Sequence, residues 1–305
     1  MQTFRSFDSP EGFFKSVPTN VVENLKFRIE LHKMLSVDSK LQQIYFELCR
    51  RYYPIFFNTT AFTYNPQAKP DERNVPFILR PAQVIAVNTL NRCIDEGRDA
   101  GINKSRKQGA SEICCKLFTA KALLEPKSHF IVGSRKESYV DNFGDDTTLF
   151  AKIDNVMNCL PTWWLASSGY NDKCRKSMSI TFPASESSIH GDTTNENFSA
   201  GSRATAVLLD EFGRVDYSVA DAIEGSVHDV ANCVIYSSTH WLGVHHAFNR
   251  CLNKETTEVI ELLWYDSPVE NKGLYKTSEP GEVELIDEEY WLERYPELKD
   301  YCYEN

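Results

Sequence analysis

The feature that most constrains this chain is the run Lys104-Ser105-Arg106-Lys107-Gln108-Gly109-Ala110-Ser111, a basic turn with a single glycine. The short apolar run Ala100-Gly101-Ile102 precedes it. From Ser111 to Glu125 apolar residues recur at helical spacing, at Ile113, Cys114, Leu117, Phe118 and Leu124. A strand, a basic loop and a helix, in that order, make an anion site, because loop N–H groups and the positive end of the helix converge on phosphate. Aligned on the phosphate-loop pattern, Gly109 is the second glycine and Ser111 the hydroxyl that ligates Mg2+. Ala110 stands where the usual lysine belongs, and Lys104 where the first glycine belongs. Alone, such a turn also describes an ordinary solvated helix start.

Its counterpart lies well down the chain. Thr205-Ala206-Val207-Leu208-Leu209 reads as a buried strand and ends in Asp210-Glu211. A phosphate-loop ATPase needs one carboxylate at a strand end to hold Mg2+ and often an adjacent one to orient the attacking water. Asp210 matches the first role and Glu211 the second; a solvated acidic turn after a strand is the plainer alternative. The two halves in this order, at domain-scale separation, point to nucleotide hydrolysis.

Composition removes other classes. With 42% hydrophobic and 25% charged residues over 305 positions, the chain is an ordinary globular protein of one large or two small domains. No apolar stretch approaches the roughly 18 residues of a membrane span, and the start Met1-Gln2-Thr3-Phe4-Arg5-Ser6 has no signal-peptide core. A net charge of −10 argues against a surface that coats nucleic acid generally but permits a local basic patch. Nine cysteines without a C-x-x-C pair imply free thiols in a reducing compartment. His245-His246 has no second ligand pair at metal spacing and reads as a surface pair.

Along the chain, residues 1–50 are expected to be helical and amphipathic, above all Val21 to Arg51. An aromatic-rich segment from Tyr52 to Pro66 and a polar loop over 67–74 follow, then a helix from Val84 to about Asp95. Strands are expected at Ser128–Gly133, Ser177–Phe182, Asn232–Tyr236 and Val259–Tyr265, a loop over 185–202, and helices at Tyr217–Val227 and Asp287–Tyr295. Alternating strands and helices predict an α/β fold with a mostly parallel sheet covered by helices on both faces. The ligand should lie at the carboxyl ends of its strands, where Lys104, Asp210 and Ser237 all fall.

Several separated signatures together give a family resemblance. They are Phe57-Asn58 to Tyr64-Asn65-Pro66, Pro76-Phe77-Ile78 to Gln83, the loop Lys104 to Ser111, and Gly133-Ser134-Arg135-Lys136-Glu137 with Tyr139-Val140-Asp141. Leu149-Phe150 through Leu160-Pro161, Gly191-Asp192-Thr193-Thr194 to Gly201-Ser202-Arg203-Ala204, Asp210-Glu211 and Ser237-Ser238-Thr239 complete the set. In this order, from about Phe56 to Arg250, the chain resembles the ATPase domain of the large terminase subunit of tailed bacteriophages.

The resemblance implies a P-loop NTPase-like core over residues 76–250, a helical adenine-side region over 1–75, and a lid or linker over 251–305. It implies that ATP and Mg2+ are bound and that double-stranded DNA is translocated into a procapsid. The implied partners are a portal protein, a small terminase subunit and copies of the chain in a homo-oligomeric ring, in the host cytoplasm and without a membrane. By the same resemblance Gln83 reads adenine, Lys104 to Ser111 hold the nucleotide, Ser111 and Asp210 hold Mg2+, and Glu211 is catalytic. Ser237, Ser238 and Thr239 would couple phosphate loss to movement. Arg203, seven residues before Asp210, would be a catalytic arginine acting across a ring boundary, with a salt bridge that ties its loop down as the alternative. Which of Lys104, Arg106 and Lys107 supplies the charge missing at Ala110 is left open.

The family's nuclease carboxylates find no counterpart. The acidic run Glu282, Glu284, Asp287, Glu288, Glu289 reads as a solvated loop and helix start, so no nuclease activity is expected of this chain. Two other functions fit parts of the pattern. A helicase-like remodelling ATPase would need a further arginine motif in a second sheet domain. A non-hydrolysing nucleotide-binding scaffold is conceivable from Ala110 but would not need Glu211.

Overall fold

A computed structural model of the chain describes residues 9–65, 68–267, 275–277 and 283–294. The helical start expected over residues 1–8, Pro66 of the aromatic signature, Glu282 of the acidic run and Tyr295 of the terminal helix lie outside the described residues.

The amphipathic N-terminal stretch divides into separate helices at side-chain caps. Ser9 caps α1 (Pro10–Ser16), Asn20 caps α2 (Val21–Leu35) and Asp38 caps α3 (Ser39–Arg51), each accepting from N–H groups of the first turn. Leu31, Leu35, Tyr45 and Cys49 turn inward toward α4 (Pro54–Thr59), in which every residue is buried. Arg28 pins α2 to α4 and the chain just beyond it by donating to the Phe57 and Ala61 carbonyls, 2.8 Å each. β1 (Phe62–Tyr64) then pairs antiparallel with β2 (Asn74–Pro76).

α5 (Pro81–Glu96) opens on proline and closes on Gly97 in the left-handed conformation. It leads to β3 (Asp99–Lys104), the basic loop and α6 (Ala110–Leu124). β4 (His129–Ser134), α7 (Glu137–Val140), α8 (Leu149–Cys159) and α9 (Thr162–Ser168) follow, then β5 (Arg175–Lys176), β6 (Ser179–Phe182) and β7 (Ser187–Thr193). β8 (Ala206–Asp210), α10 (Tyr217–Ser226), β9 (Cys233–Ser238), α11 (Ala247–Leu252) and β10 (Thr257–Leu262) complete the core. Past it, β11 (Tyr275–Thr277) pairs antiparallel with β12 (Val283–Leu285), ahead of α12 (Glu288–Arg294).

The main sheet runs β10-β3-β9-β8-β4-β7-β6-β5. The first six strands are parallel, and β6 and β5 extend the sheet antiparallel. Strand periodicity divides the interior in two. Ala206 and Leu208 of β8, with Cys233 and Ile235 of β9 and Phe130 and Val132 of β4, face a core shared with the N-terminal helices, α5, α6 and α8. Val207, Leu209, Val234, Tyr236 and Ile131 face the opposite way, onto α10 and α11. The expected α/β architecture with both faces covered is what the chain adopts. β10, at position 257 and beyond, belongs to this sheet as its edge strand beside β3.

Two sequence expectations are corrected. Residues 185–202 are not simply a loop, since β7 lies within them, parallel to β4 and antiparallel to β6. Paired on both edges, β7 takes its stability from ladder bonds, and its buried serines are satisfied locally. Ser187 Oγ accepts from the Ser128 N–H at 3.0 Å and donates to the Glu125 carbonyl at 3.0 Å. His246 is not half of a surface pair either. It is buried at the start of α11, where its Nε2 meets the Val215 carbonyl at 2.8 Å and its Nδ1 accepts from Phe248 N.

Candidate active site

The loop between β3 and α6 is held from both sides. Ser105 N donates to the Leu262 carbonyl at 2.9 Å, and Ser105 Oγ accepts from Trp264 N at 3.1 Å, fastening the loop to the end of β10. On the other flank Gln108 is buried, and its carbonyl accepts from Gln83 Nε2 at 3.0 Å and Arg80 Nη2 at 3.2 Å. Lys107 and Gly109 both adopt left-handed backbone, φ 61° and 78°. Alternation of left- and right-handed residues turns successive N–H groups toward one point, a concavity suited to an anion. Gly109 is required twice over: its φ suits glycine, and a Cβ there would lie 3.1 Å from Gln83 Nε2. Ala110 is buried behind the loop, while Arg106 and Lys107 are exposed.

At the carboxyl end of β8 the carboxylates meet this loop. Ser111 Oγ donates to Asp210, 2.9 Å from both Oδ1 and Oδ2. Burial pushes the Asp210 carboxyl above its ordinary value, against the opposing pull of Lys104 and the Ser111 bond. Lys104 Nζ donates to Glu211 Oε1 at 2.7 Å. Burial alone would lower the Lys104 ammonium, but Asp210 and Glu211 together outweigh it and hold it above its ordinary value. Glu211 has φ 55°, an uncommon backbone for a residue with a Cβ, and such strain concentrates at functional sites. Its second oxygen, Oε2, lies 3.2 Å from Arg214 Nε, a charge pair without hydrogen-bond alignment.

Two cavities flank the loop, and Lys107 lines both. One, of about 350 Å³, is walled by Lys104, Arg106, Lys107, Arg135 and Arg214, with Glu211, Tyr139 and Thr239. The other, of about 810 Å³, has Phe77, Ile78, Leu79 and Pro81 on its wall beside Gln83 and Gly109. The first cavity is thus rich in cations and the second has an apolar wall, with the loop between them.

Ser237 lies beside Asp210 in the β8–β9 register and beside Ile102 in the β3–β9 register. Its hydroxyl is buried without a hydrogen-bond partner among the described residues. Ser238 Oγ donates to the Thr239 carbonyl at 2.9 Å. A Cβ on Gly213 would come within 2.9 Å of Ser238 Oγ and 3.0 Å of the Thr239 carbonyl, so the turn after Glu211 rides directly on this segment.

Thus Lys104, Ser111, Asp210, Glu211, Ser237 and Thr239 converge, and Arg106 and Lys107 rim the same space. Gln83 sits at the larger cavity with its amide engaged inside the chain, as Oε1 accepts from Arg80 N at 3.0 Å and Nε2 serves Gln108. Arg203 is not in the cluster. It precedes the amino end of β8, the length of the strand away from Asp210, and donates to the Asp229 carbonyl at 2.7 Å. Among the described residues its hydrogen bonds go to carbonyls rather than to a carboxylate. Three site cations were not anticipated as such: Arg80, Arg135 and Arg214. Of these only Arg214 carried a local signal, its spacing of three residues from Glu211.

No family model and no curated protein matches the sequence. Some solved structures are similar to this chain in part. The large terminase of bacteriophage HK97 is similar at 15% identity and TM-score 0.49, over 83% of this chain and 50% of that one. A large terminase from a thermophilic bacteriophage, solved in complex with ADP, is similar at 13% identity and TM-score 0.44, over 60% of this chain and 45% of that one. This chain therefore spans about half the length of these two. The ATPase domain of the Thermus phage P74-26 large terminase is similar at 14% identity and TM-score 0.40, over 74% of this chain and 95% of that one. These three solved structures are phage large terminases, the last of them an ATPase domain.

Proposed function

We propose that the chain is the Mg2+-dependent ATPase motor of a phage large terminase, hydrolysing ATP to drive double-stranded DNA into a procapsid. The observation that carries the ATPase reading is the Ser111–Asp210 contact, which joins the phosphate loop to the acidic strand end. Both are hard oxygen donors, Asp210 buried and Ser111 partly so, beside a concave run of N–H groups, and that donor set fits Mg2+. Bound there with ATP, Mg2+ would offset phosphate charge.

The chain's own groups do the rest. Lys104, at the mouth of the loop, holds the terminal phosphate by charge, and Arg106 and Lys107 add to the field around it. Glu211 orients water toward that phosphate. Gln83 and the apolar wall of the larger cavity receive the base. Loss of the phosphate is felt at Thr239, which shares the cavity with Glu211, and passes along β9 through the close contact at Gly213. Arg203, at the other end of the sheet, acts on a neighbouring copy's nucleotide in a homo-oligomeric ring. Portal protein and small terminase subunit are the partners, in the host cytoplasm.

The test is Glu211→Gln in the purified chain. Mg-ATP affinity should stay near wild type while turnover falls on the order of 10²–10⁴-fold, the range for acid–base groups. A Glu211→Gln protein that turns over like wild type takes the water-orienting role from Glu211, whereas a wild-type chain that binds Mg-ATP without turnover overturns the hydrolytic reading and leaves a nucleotide-binding module.

A further inference from the structure

The Glu211 carboxylate lies between two cations, and each takes a different oxygen. Lys104 Nζ is 2.7 Å from Oε1, and Arg214 Nε is 3.2 Å from Oε2. The two cations stand differently toward a ligand. Lys104 ends β3 and opens the phosphate loop, so a bound phosphate competes with Glu211 for its ammonium. Arg214 ends the short turn Phe212–Arg214 that Glu211 itself begins, so its distance from Glu211 is fixed within one local piece of chain. The guanidinium also lies over the Trp241 ring, with its centre 4.2 Å from the ring centroid. Trp241 stands just past Ser237-Ser238-Thr239 and is 60% exposed, so its ring is free to act as a platform for the arginine.

Resting on the ATPase reading above, we propose that Arg214, backed by Trp241, is the positioning residue that keeps Glu211 aimed once phosphate has drawn Lys104 away. Arg214 retains Oε2, and Oε1, released by Lys104, is the oxygen presented to water. The arginine also lines the phosphate cavity, which suggests the competing role of a direct phosphate contact. The two roles differ in what they change. A phosphate contact sets affinity, whereas a positioning residue sets turnover at unchanged affinity.

The experiment measures kcat from steady-state hydrolysis and, separately, Kd for a fluorescent ATP analogue, in the full chain. Arg214→Ala should lower kcat by up to about a hundredfold, the scale of rate lost when a catalytic group is misplaced by about 1 Å, with Kd unchanged. Arg214→Lys, which keeps the charge, should recover part of the loss. Trp241→Ala should lower kcat in the same direction by about two- to fivefold, and Trp241→Phe should restore it, because either ring supports the cation. A weakened Kd with kcat intact in Arg214→Ala makes the arginine a phosphate ligand and overturns the proposal. So does wild-type kcat in Arg214→Ala and Trp241→Ala. If Arg214→Ala does not fold, Arg214→Lys and the Trp241 pair carry the same comparison. Inactive wild type counts against the ATPase reading instead, whereas a fully active Glu211→Gln leaves that reading standing and overturns the proposal, since there is then no carboxylate to aim. An inactive Glu211→Gln beside an unimpaired Arg214→Ala counts against Arg214 alone.

Discussion

The Ser111 hydroxyl reaches both carboxylate oxygens of Asp210 at 2.9 Å, joining residues that are far apart in the chain and adjacent at the ends of their elements. The contact satisfies the hydroxyl, but it does not offset the cost of keeping Asp210 ionised in a buried place, since burial dominates and holds the carboxyl above its ordinary value. A site built to hold a cation should be strained in this sense without it.

Asp210→Asn should therefore stabilise the ligand-free chain at neutral pH while removing the Mg2+-dependent part of ATP affinity. The sign follows from the raised value. The proton is bound more tightly in the fold, so Asp210 favours folding when protonated, and that contribution is lost as pH rises through the folded value. The asparagine removes the charge and can still accept from Ser111. Thermal melts of both proteins should show the variant ahead at neutral pH and the gap closing toward acid. A variant that melts below wild type at neutral pH contradicts this account.

Lys104 is the most buried cation of the loop, with a side chain 10% exposed, whereas Arg106 and Lys107 stand in solvent. Its reach is preorganised, and theirs must be ordered on binding. Lys104→Ala should weaken ATP binding by about ten- to a hundredfold, the equivalent of roughly 1.5–3 kcal/mol, and ADP less. Arg106→Ala and Lys107→Ala should cost less than Lys104→Ala. Calorimetric titration of each variant with both nucleotides checks the order, and an unaffected Lys104→Ala with a weakened Arg106→Ala would give the role to the arginine.

The parts that were readable in advance are those whose signal is local. β3, the basic loop, α6 and the acidic end of β8 each announce themselves by periodicity or by a run of charge, and they fall close to the expected positions. The sequence Ser187-Ser188-Ile189-His190-Gly191-Asp192-Thr193 carries one large apolar residue, and its strand exists because β4 and β6 offer edges on both sides. That information sits in other segments. The same holds for Arg80 and Arg135, whose neighbours at the site come from the tertiary arrangement. The engagement of the Gln83 amide with Arg80 and Gln108 likewise depends on where α5 packs.

Arg203 precedes the amino end of β8 while Asp210 ends that strand, and this placement sharpens the expectation for mixed subunits. Hydrolysis should rise with protein concentration as copies associate. A mixture of Arg203→Ala and Glu211→Gln chains, each inactive alone, should recover a measurable fraction of wild-type activity. Absence of recovery under conditions where sedimentation shows association would confine Arg203 to holding its own loop against the Asp229 carbonyl.

A last expectation concerns the N-terminal helices. His32 of α2 packs edge-on to Tyr45, with ring centroids 6.0 Å apart, and Trp163 is also at 6.0 Å. Its Nε2 meets the Thr59 carbonyl at 2.9 Å, so that nitrogen carries the proton, and the buried Nδ1 has no hydrogen-bond partner among the described residues. Burial, opposed by the Thr59 bond and reinforced by the nearby Arg28 charge, pushes the imidazole down from 6.5 to about 4. A depressed value favours the fold above the unfolded pKa, and the benefit is lost as pH falls from there toward the folded one. For His32 that window runs from 6.5 down to about 4. Over it the imidazole should account for ~2–3 kcal/mol of lost stability, at about 1.4 kcal/mol per unit. His32→Gln keeps a donor for the Thr59 carbonyl and removes the titration. Urea unfolding of both proteins between neutral pH and about pH 4.5 should show wild type losing more stability than the variant by that amount. Carboxylates elsewhere titrate alike in the two and cancel in the difference. Parallel losses in both proteins would mean that His32 takes up its proton inside the fold as readily as outside it.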